Sequence, residues 1–129
     1  MNKRKVTTSK EILHNLPYEA ISVTLDSNEI GKKVVPAGTI LAGVLKSVFK
    51  DRTQKVKEVK NGDLASAKHV DGILLTDVDL TNGDATGSCV YRGTVNADKL
   101  ADTSIAENAK NYEELAKKLP HIQFIKGGK

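Results

Sequence analysis

The chain has 129 residues, a net charge of +4 and a single cysteine, and its length is enough for one domain with a sizeable core. One cysteine excludes an internal disulfide and a cysteine-based zinc site. No apolar run approaches the roughly 20 residues of a membrane span, and the basic N-terminus is not followed by the apolar segment of a secretory signal. We therefore expect a soluble protein, made inside the cell, with no membrane partner.

Charge is unevenly distributed along the chain. Basic residues are concentrated at the N-terminus and again in residues 46–60, whereas residues 71–107 carry an excess of acidic side chains. This asymmetry is typical of a protein that binds a polyanion or an acidic protein surface. It also fits solvated loops and an exposed strand face, so the pattern alone does not choose between these interpretations.

The first 20 residues show no sustained hydrophobic periodicity, and Pro17 limits any helix there to about one turn. We expect an extended arm over residues 1–20, followed by a β-rich domain over residues 21–129. The first strand is predicted at residues 21–25, where apolar and polar residues alternate.

Turn residues divide the middle of the chain into short strands. Pro36 presets the backbone for a turn and Gly38 permits positive φ, which together predict a reversal before the apolar run at residues 39–45. Residues 47–60 alternate loosely and carry many lysines. Because lysine on an edge discourages further strand pairing, this pattern predicts an exposed edge strand or ribbon.

Residues 72–100 contain the clearest pattern, two alternating apolar runs joined by turn-forming residues at positions 82–84. We expect a β-hairpin, with Cys89 as a small buried hydrophobic residue on its return strand. Asp77 and Asp79 are expected to face solvent. The segment departs from the calcium-loop pattern at three positions, which argues against a calcium site.

The C-terminal quarter predicts one helix at about residues 104–119. Ser104 and Glu107 match a capping box at its start, and Pro120 ends the pattern. Its apolar stripe consists of Ile105, Ala109, Tyr112, Leu115, Ala116 and Leu119. A closing strand is predicted at about residues 121–125. These elements together predict a mainly β (β-rich α+β) fold with one helix in the C-terminal half.

None of the residue patterns that carry catalysis or nucleotide binding is matched. The three histidines, His14, His69 and His121, lie far apart in sequence, and no serine stands in a nucleophile elbow. No phosphate-binding glycine motif occurs either. The sequence therefore predicts no enzyme activity, no catalytic residue, no metal ligand and no cofactor.

Nucleic-acid binding is the alternative function that the basic residues leave open. The stretch 46–60 holds one aromatic residue, Phe49, where single-strand binders have several stacking residues. It also lacks a recognition helix or an aromatic RNA-binding strand. We expect no direct contact with nucleic acid and keep a small basic nucleic-acid-binding module as the alternative.

The order of the short motifs resembles the lambda-type bacteriophage head decoration proteins, which stabilise the capsid. Residues 8–11 are similar to the start of the arm in that family, residues 35–41 to its entry strand and residues 70–75 to its core strand. Residues 77–84 and 90–100 are similar to a form common in phages of Gram-positive hosts. The scaffold positions that carry the resemblance are Pro36, Gly38, Gly72, Asp77, Asp79, Gly83, Asp84, Arg92, Gly93, Asn96 and Asp98.

The resemblance implies a compact, barrel-like "β-tulip" domain with one helix and an extended N-terminal arm. It implies a homotrimer on the outer surface of the expanded phage head, at three-fold and quasi-three-fold positions. There the protein clamps the major capsid protein against the pressure of packaged DNA. It is made in the host bacterial cytoplasm and resides in the virion. The basic stretch 46–60 departs from the family pattern because it is longer and more basic.

The predicted arm suits capsid binding. An extended segment of about 15 residues reaches up to roughly 50 Å, which is beyond its own subunit. Its β-branched residues can add a strand to an exposed edge of the capsid protein, and its cations can meet carboxylates there. The residues assigned to this role are Lys3, Arg4, Lys5, Val6, Thr7, Thr8, Ser9, Lys10 and Glu11.

Overall fold

The structure, a computed structural model, describes residues 13–60, 63–64, 66–102 and 104–126. The capsid-binding arm predicted at residues 3–11 lies outside the described residues. In chain order the elements are β1 (Leu13–Leu25), α1 (Ser27–Ile30), β2 (Val34–Val35), β3 (Ile40–Gly43), β4 (Val56–Glu58), β5 (Gly72–Leu74), β6 (Val78–Asp79), β7 (Ala85–Asn96), a 3-10 helix (Ala97–Lys99), α2 (Ser104–Glu107), α3 (Ala109–Lys118) and β8 (Ile122–Ile125).

Five of the strands close into a ring in the order β1-β4-β3-β5-β7, since β7 also pairs with β1. The β1–β7 pairing is antiparallel and runs from Leu25 opposite Ala85 to Leu13 opposite Val95. β4 joins β1 in parallel, and β8 adds to β7 in parallel beyond the ring. The chain is therefore mainly β, and the closure gives it the barrel-like form that was predicted.

The ring separates two hydrophobic clusters, because neighbouring residues of a strand point to opposite faces. Leu41 and Leu74 belong to one cluster, whereas Ile40 and Ile73 belong to the other. The first cluster receives side chains from all five ring strands and so fills the interior of the ring. Its strand residues are Val23, Leu25, Leu41, Val56, Leu74, Val78 and Cys89, with Val35 from β2.

The C-terminal elements cover the outer face of β3 and β5. Ile105 of α2, Leu115 of α3 and Phe124 of β8 are buried in the same cluster as Ile40 and Ile73. Full burial of each large aliphatic side chain contributes about 1.5–3 kcal/mol. The helices are therefore held by the sheet that they cover, and they are too short to be stable alone.

The first strand begins at Leu13 and not at residue 21, so the predicted boundary between arm and domain falls inside β1. Its register with β7 is regular from Ala20 to Leu25, but it shifts three times between Leu13 and Ala20. Such bulges disturb the alternation of side chains. This explains why residues 13–20 lack the period of two that would have identified them as a strand.

The prediction of one continuous helix over residues 104–119 is wrong. The segment forms two helices that meet at Asn108, whose side chain accepts hydrogen bonds from two backbone N–H groups in the first turn of α3. Ala109 and Ala116 of the predicted apolar stripe are exposed. The Ser104 side chain of the predicted capping box lies outside the described residues.

The hairpin predicted over residues 72–100 is divided between two sheets. β5 pairs with β7, with Ile73 opposite Val90, as a hairpin requires. β6 instead pairs with β2, with Val35 opposite Val78. The turn at residues 82–84 therefore joins β6 to β7 without pairing them.

The basic stretch is not an edge strand. Within residues 47–60 only Val56–Glu58 forms a strand, and this strand lies between β1 and β3. Val56 is fully buried inside the ring, opposite both Leu25 and Gly43. The lysines there flank a buried valine, which explains the loose alternation in the sequence.

Candidate interaction surface

The motif residues Asp77 and Asp79 are exposed, and each fixes nearby backbone. Asp77 Oδ1 accepts the N–H of Ala37 at 2.8 Å, which ties the segment after β5 to the turn before β3. Asp79 Oδ1 accepts the N–H and the hydroxyl of Thr81 at 2.9 and 2.7 Å. Hydrogen bonds from Thr81 lower the pKa of Asp79. Both aspartates therefore have a structural role in turns.

Asp84 joins three segments of the chain. Its Oδ1 accepts the N–H and the hydroxyl of Ser27 at 2.8 and 2.9 Å, and its Oδ2 lies 2.7 Å from the Lys55 ammonium. The hydrogen bond from Lys55, followed by those from Ser27, lowers the pKa of Asp84 to about 2. The turn before it closes at Gly83, whose N–H donates to the Leu80 carbonyl. Asp84 thus fastens this turn to the start of α1 and to the basic stretch.

Glycine is required where the backbone is crowded. Gly38 has a φ of +92°, and a Cβ there would lie 2.8 Å from the carbonyl oxygen of Lys99, at the end of the 3-10 helix, and 2.8 Å from the backbone nitrogen of Ala101. A Cβ on Gly72 would overlap the Val90 carbonyl and lie 2.5 Å from the Cys89 sulfur. The Pro36 carbonyl accepts the hydroxyl of Thr39 at 2.7 Å, which closes the predicted reversal.

The remaining motif residues lie near the end of β7. Asn96 Oδ1 accepts the N–H of Asp98 at 3.0 Å and so caps the 3-10 helix. Arg92 Nε lies 3.5 Å from a carboxylate oxygen of Glu19 on β1, in an exposed pair. Gly93 has a φ of +147°. These residues shape the scaffold and do not converge on one site.

Asp71 organises the connection between β3 and β4, a role that no motif in the sequence predicted. Its buried carboxylate accepts the N–H groups of Gly43 and Val48 at 2.7 and 3.1 Å and the hydroxyl of Ser47 at 2.6 Å. His69 Nε2 lies 3.0 Å from the Gly43 carbonyl on the same connection. The sequence contains one indication of this role, because Asp71 directly precedes an apolar strand. A carboxylate that is buried there needs hydrogen-bond donors around it.

We name residues 44–54 the Leu45 loop. Leu45 is 81% exposed and Phe49 is 49% exposed, although both are large and apolar. The backbone that carries Leu45 is fixed, because Gln54 Oε1 accepts two successive N–H groups there at 2.8 and 3.3 Å. The Phe49 ring packs edge-on against Tyr91, with ring centres 5.1 Å apart. Exposed apolar side chains on a fixed loop favour an interaction surface.

Two of the grooves that border the Leu45 loop lie beside its exposed apolar side chains. The larger has a volume of about 510 Å³ and lies beside Leu45, and the smaller has a volume of about 290 Å³ and lies beside Phe49. The larger groove is bordered by Val44, Leu45, Lys57, Asp63, Lys68 and His69. The smaller groove is bordered by Phe49, Tyr91, Arg92, Lys118, Pro120 and His121.

The cations of the basic stretch 46–60 do not line one common groove. Arg52 and Lys55 border one groove, Lys57 borders a second and Lys60 a third. Lys55 is paired with a carboxylate, and Arg52 donates to a backbone carbonyl of β1. The stretch is therefore divided among several surfaces of the domain.

Within the described part of the chain, no group of three or more His, Cys, Asp or Glu side chains is placed to hold a metal ion. None of the described helices has the length and the apolar character needed to cross a membrane. No known protein-family model matches the chain, and no curated protein matches it at a significant level. The function is therefore inferred from the residues and contacts of this chain.

Proposed function

We propose that this protein is a phage capsid decoration protein that binds the outside of the expanded head and stabilises the lattice of the major capsid protein. It acts as a homotrimer at three-fold and quasi-three-fold positions of the virion surface. The observation that carries the proposal is the ordered series of motifs at residues 35–41, 70–75, 77–84 and 90–100, which resembles that family.

The contacts of the motif residues support a structural role. Asp77, Asp84 and Asn96 each receive backbone N–H groups, and Gly38 sits where a side chain does not fit. Side chains used in this way hold turns in place and are not available for chemistry. A protein that reinforces a lattice needs such a stiff body, since binding surfaces are most effective on rigid elements.

The start of β1 supports the proposed arm. Leu13 lies opposite Val95 on β7, so a segment that precedes it begins at a fixed point on the sheet. A chain of 12 residues reaches roughly 40 Å when extended, which is enough to contact a neighbouring subunit. Three arms on one trimer give an avidity well above the affinity of each arm.

The test is co-sedimentation of the full chain with expanded heads of the phage that encodes it, from which the protein has been removed. Deletion of residues 1–11 leaves β1 intact, because this strand begins at Leu13. We expect the full chain to saturate the heads and the deletion to weaken binding by about 100-fold or more, with an unchanged circular dichroism spectrum.

A matched control replaces residues 1–11 with a Gly/Ser segment of equal length, which separates the sequence of the arm from its bulk. Cryo-electron microscopy of the saturated heads then locates the density. Failure of the full chain to bind expanded heads, or density away from the three-fold positions, contradicts the proposal. If the deletion variant binds with unchanged affinity, the arm has no part in capsid binding.

A further inference from the structure

We propose that the larger groove beside the Leu45 loop is a second contact surface, which takes an acidic segment of a partner protein with an apolar side chain placed against Leu45. This inference rests on the proposed function for the identity of the partner, the major capsid protein. The chemistry of the occupant follows from the charges and exposed side chains of the groove itself.

The groove combines an apolar wall with cations. Val44 and Leu45 come from the Leu45 loop, Lys57 from β4, and Lys68 and His69 from the segment before β5. Leu45 exposes most of its side chain at the edge of the groove. An apolar side chain of a partner can remove this surface from water, while the lysines receive the carboxylates beside it.

The charge balance of the groove favours an acidic occupant. Lys57 and Lys68 form no ion pair with any residue that the structure describes. Glu58, which also borders the groove, is paired with Lys33 at 2.9 Å. Among the carboxylates bordering the groove, Asp63 alone lacks an ion pair within the described residues. Complementary charge speeds the encounter and selects the partner more than it adds affinity.

The groove suits a peptide better than a nucleic acid. Among the described residues that line it there is no Phe, Tyr or Trp on which a base could stack; Phe49 borders the other groove. The walls of the groove are held in place before binding. The Asp71 carboxylate accepts the backbone N–H of Gly43, and the Gln54 side-chain oxygen accepts the backbone N–H of Leu45. A preorganised surface loses less conformational entropy when it binds.

The test titrates the isotope-labelled full chain with defined probes and follows backbone amides by NMR. The probes are the peptide acetyl-Asp-Glu-Leu-Asp-Glu-amide, the same peptide with Ser in place of Leu, and a ten-residue oligothymidylate. We expect the Leu peptide to shift amides near Leu45, Lys57 and Lys68, and the Ser peptide to bind more weakly. The double variant Lys57→Glu, Lys68→Glu is expected to weaken the Leu peptide by about 10-fold.

The matched control is a double variant with the same change of net charge at positions outside the groove. It carries Lys110→Glu and Lys117→Glu on the exposed side of α3. This variant is expected to bind the Leu peptide as the wild type does. The inference is overturned if the Leu peptide shifts no amides around the groove at millimolar concentration. It is also overturned if the oligothymidylate binds there more tightly, or if both double variants lose the peptide equally.

The same variants on expanded heads separate the two proposals. If wild type binds heads and the Lys57/Lys68 variant binds with equal affinity, the groove is not a capsid contact and the inference fails while the proposed function stands. If wild type fails to bind heads, the proposed function fails, and the peptide titration still decides whether the groove binds acidic segments.

Discussion

The carboxylate of Asp71 accepts the backbone N–H of Gly43 across 2.7 Å, and both residues are buried. Asp71 directly precedes β5, and Gly43 ends β3, so this contact sets where the chain leaves the sheet. The same carboxylate also accepts the backbone N–H of Val48 and the hydroxyl of Ser47. It therefore fixes the Leu45 loop up to residue 48. The exposed side chain of Leu45 is thus presented on backbone that is held from inside the domain.

Asp71→Ala is expected to destabilise the domain, because it leaves the N–H groups of Gly43 and Val48 buried without an acceptor. Each such group costs about 1–3 kcal/mol, so we expect a loss of about 3 kcal/mol in the free energy of unfolding. Urea unfolding measures this loss, and hydrogen exchange at the two amides shows whether the loop opens.

Asp71→Asn is the matched control for that change. Its amide oxygen can accept both N–H groups while its NH₂ donates to the Ser47 hydroxyl, so we expect a cost of about 1 kcal/mol. Equal losses for the Ala and Asn variants mean that these hydrogen bonds do not hold the loop.

The ion pair of Asp84 with Lys55 predicts a dependence of stability on pH. The pKa of Asp84 is lowered from 3.8 to about 2, so its carboxylate contributes stability above about pH 4 that is lost as the pH falls towards 2. Urea unfolding at intervals from pH 5 to pH 2 is expected to show a steeper fall for wild type than for Asp84→Asn. Parallel curves for the two proteins contradict this role of Asp84.

Gly38→Ala is expected to destabilise the domain more than Gly83→Ala does. Both glycines have positive φ, which costs a non-glycine residue about 1 kcal/mol or more. Of the two, only Gly38 has backbone in the way of the added Cβ, 2.8 Å from atoms of Lys99 and Ala101, whereas no atom of the described residues lies within 4 Å at Gly83. Chemical denaturation of both variants gives the comparison, and equal losses show that the backbone at residues 99–101 moves aside freely.

Cys89 is expected to resist thiol reagents in the native protein. Its side chain is fully buried inside the ring, and burial raises the pKa of its thiol to about 12, so a reactive thiolate is rare at neutral pH. Labelling with a chromogenic disulfide is then limited by opening of the ring, and 8 M urea removes the protection. The double variant Leu45→Cys, Cys89→Ala places the thiol on the exposed loop and is expected to react at once. Immediate labelling of native wild type refutes this prediction.

Leu45→Ala and Leu41→Ala test the division between surface and core. Leu45 is largely exposed, so its loss is expected to change the free energy of unfolding by less than about 0.5 kcal/mol. Leu41 is fully buried inside the ring, and its truncation is expected to cost about 2–5 kcal/mol. Urea denaturation decides, and a large loss for Leu45→Ala means that Leu45 serves packing instead of binding.

Local patterns predicted those parts of the fold whose side chains alternate regularly. Residues 21–25 alternate and pair in regular register with β7, and the closing strand was predicted within one residue of β8. The reversal at Pro36 and Gly38 was predicted because both residues restrict or extend the allowed φ. Asn108, in contrast, divides the predicted helix by capping α3, and its exposed position gave no periodic signal.

By itself, the amino-acid sequence determined the fold class, the turns at residues 36–38 and 82–84 and the burial of Cys89, because the patterns that predict them lie in neighbouring residues. The tertiary structure alone decided that β6 pairs with β2 instead of joining the expected hairpin, and that β4 is a central strand of the ring, between β1 and β3. It alone also brought Asp71 to Gly43, across 28 residues of sequence. Such pairings depend on which surfaces are buried when the ring closes, and local sequence patterns do not predict this.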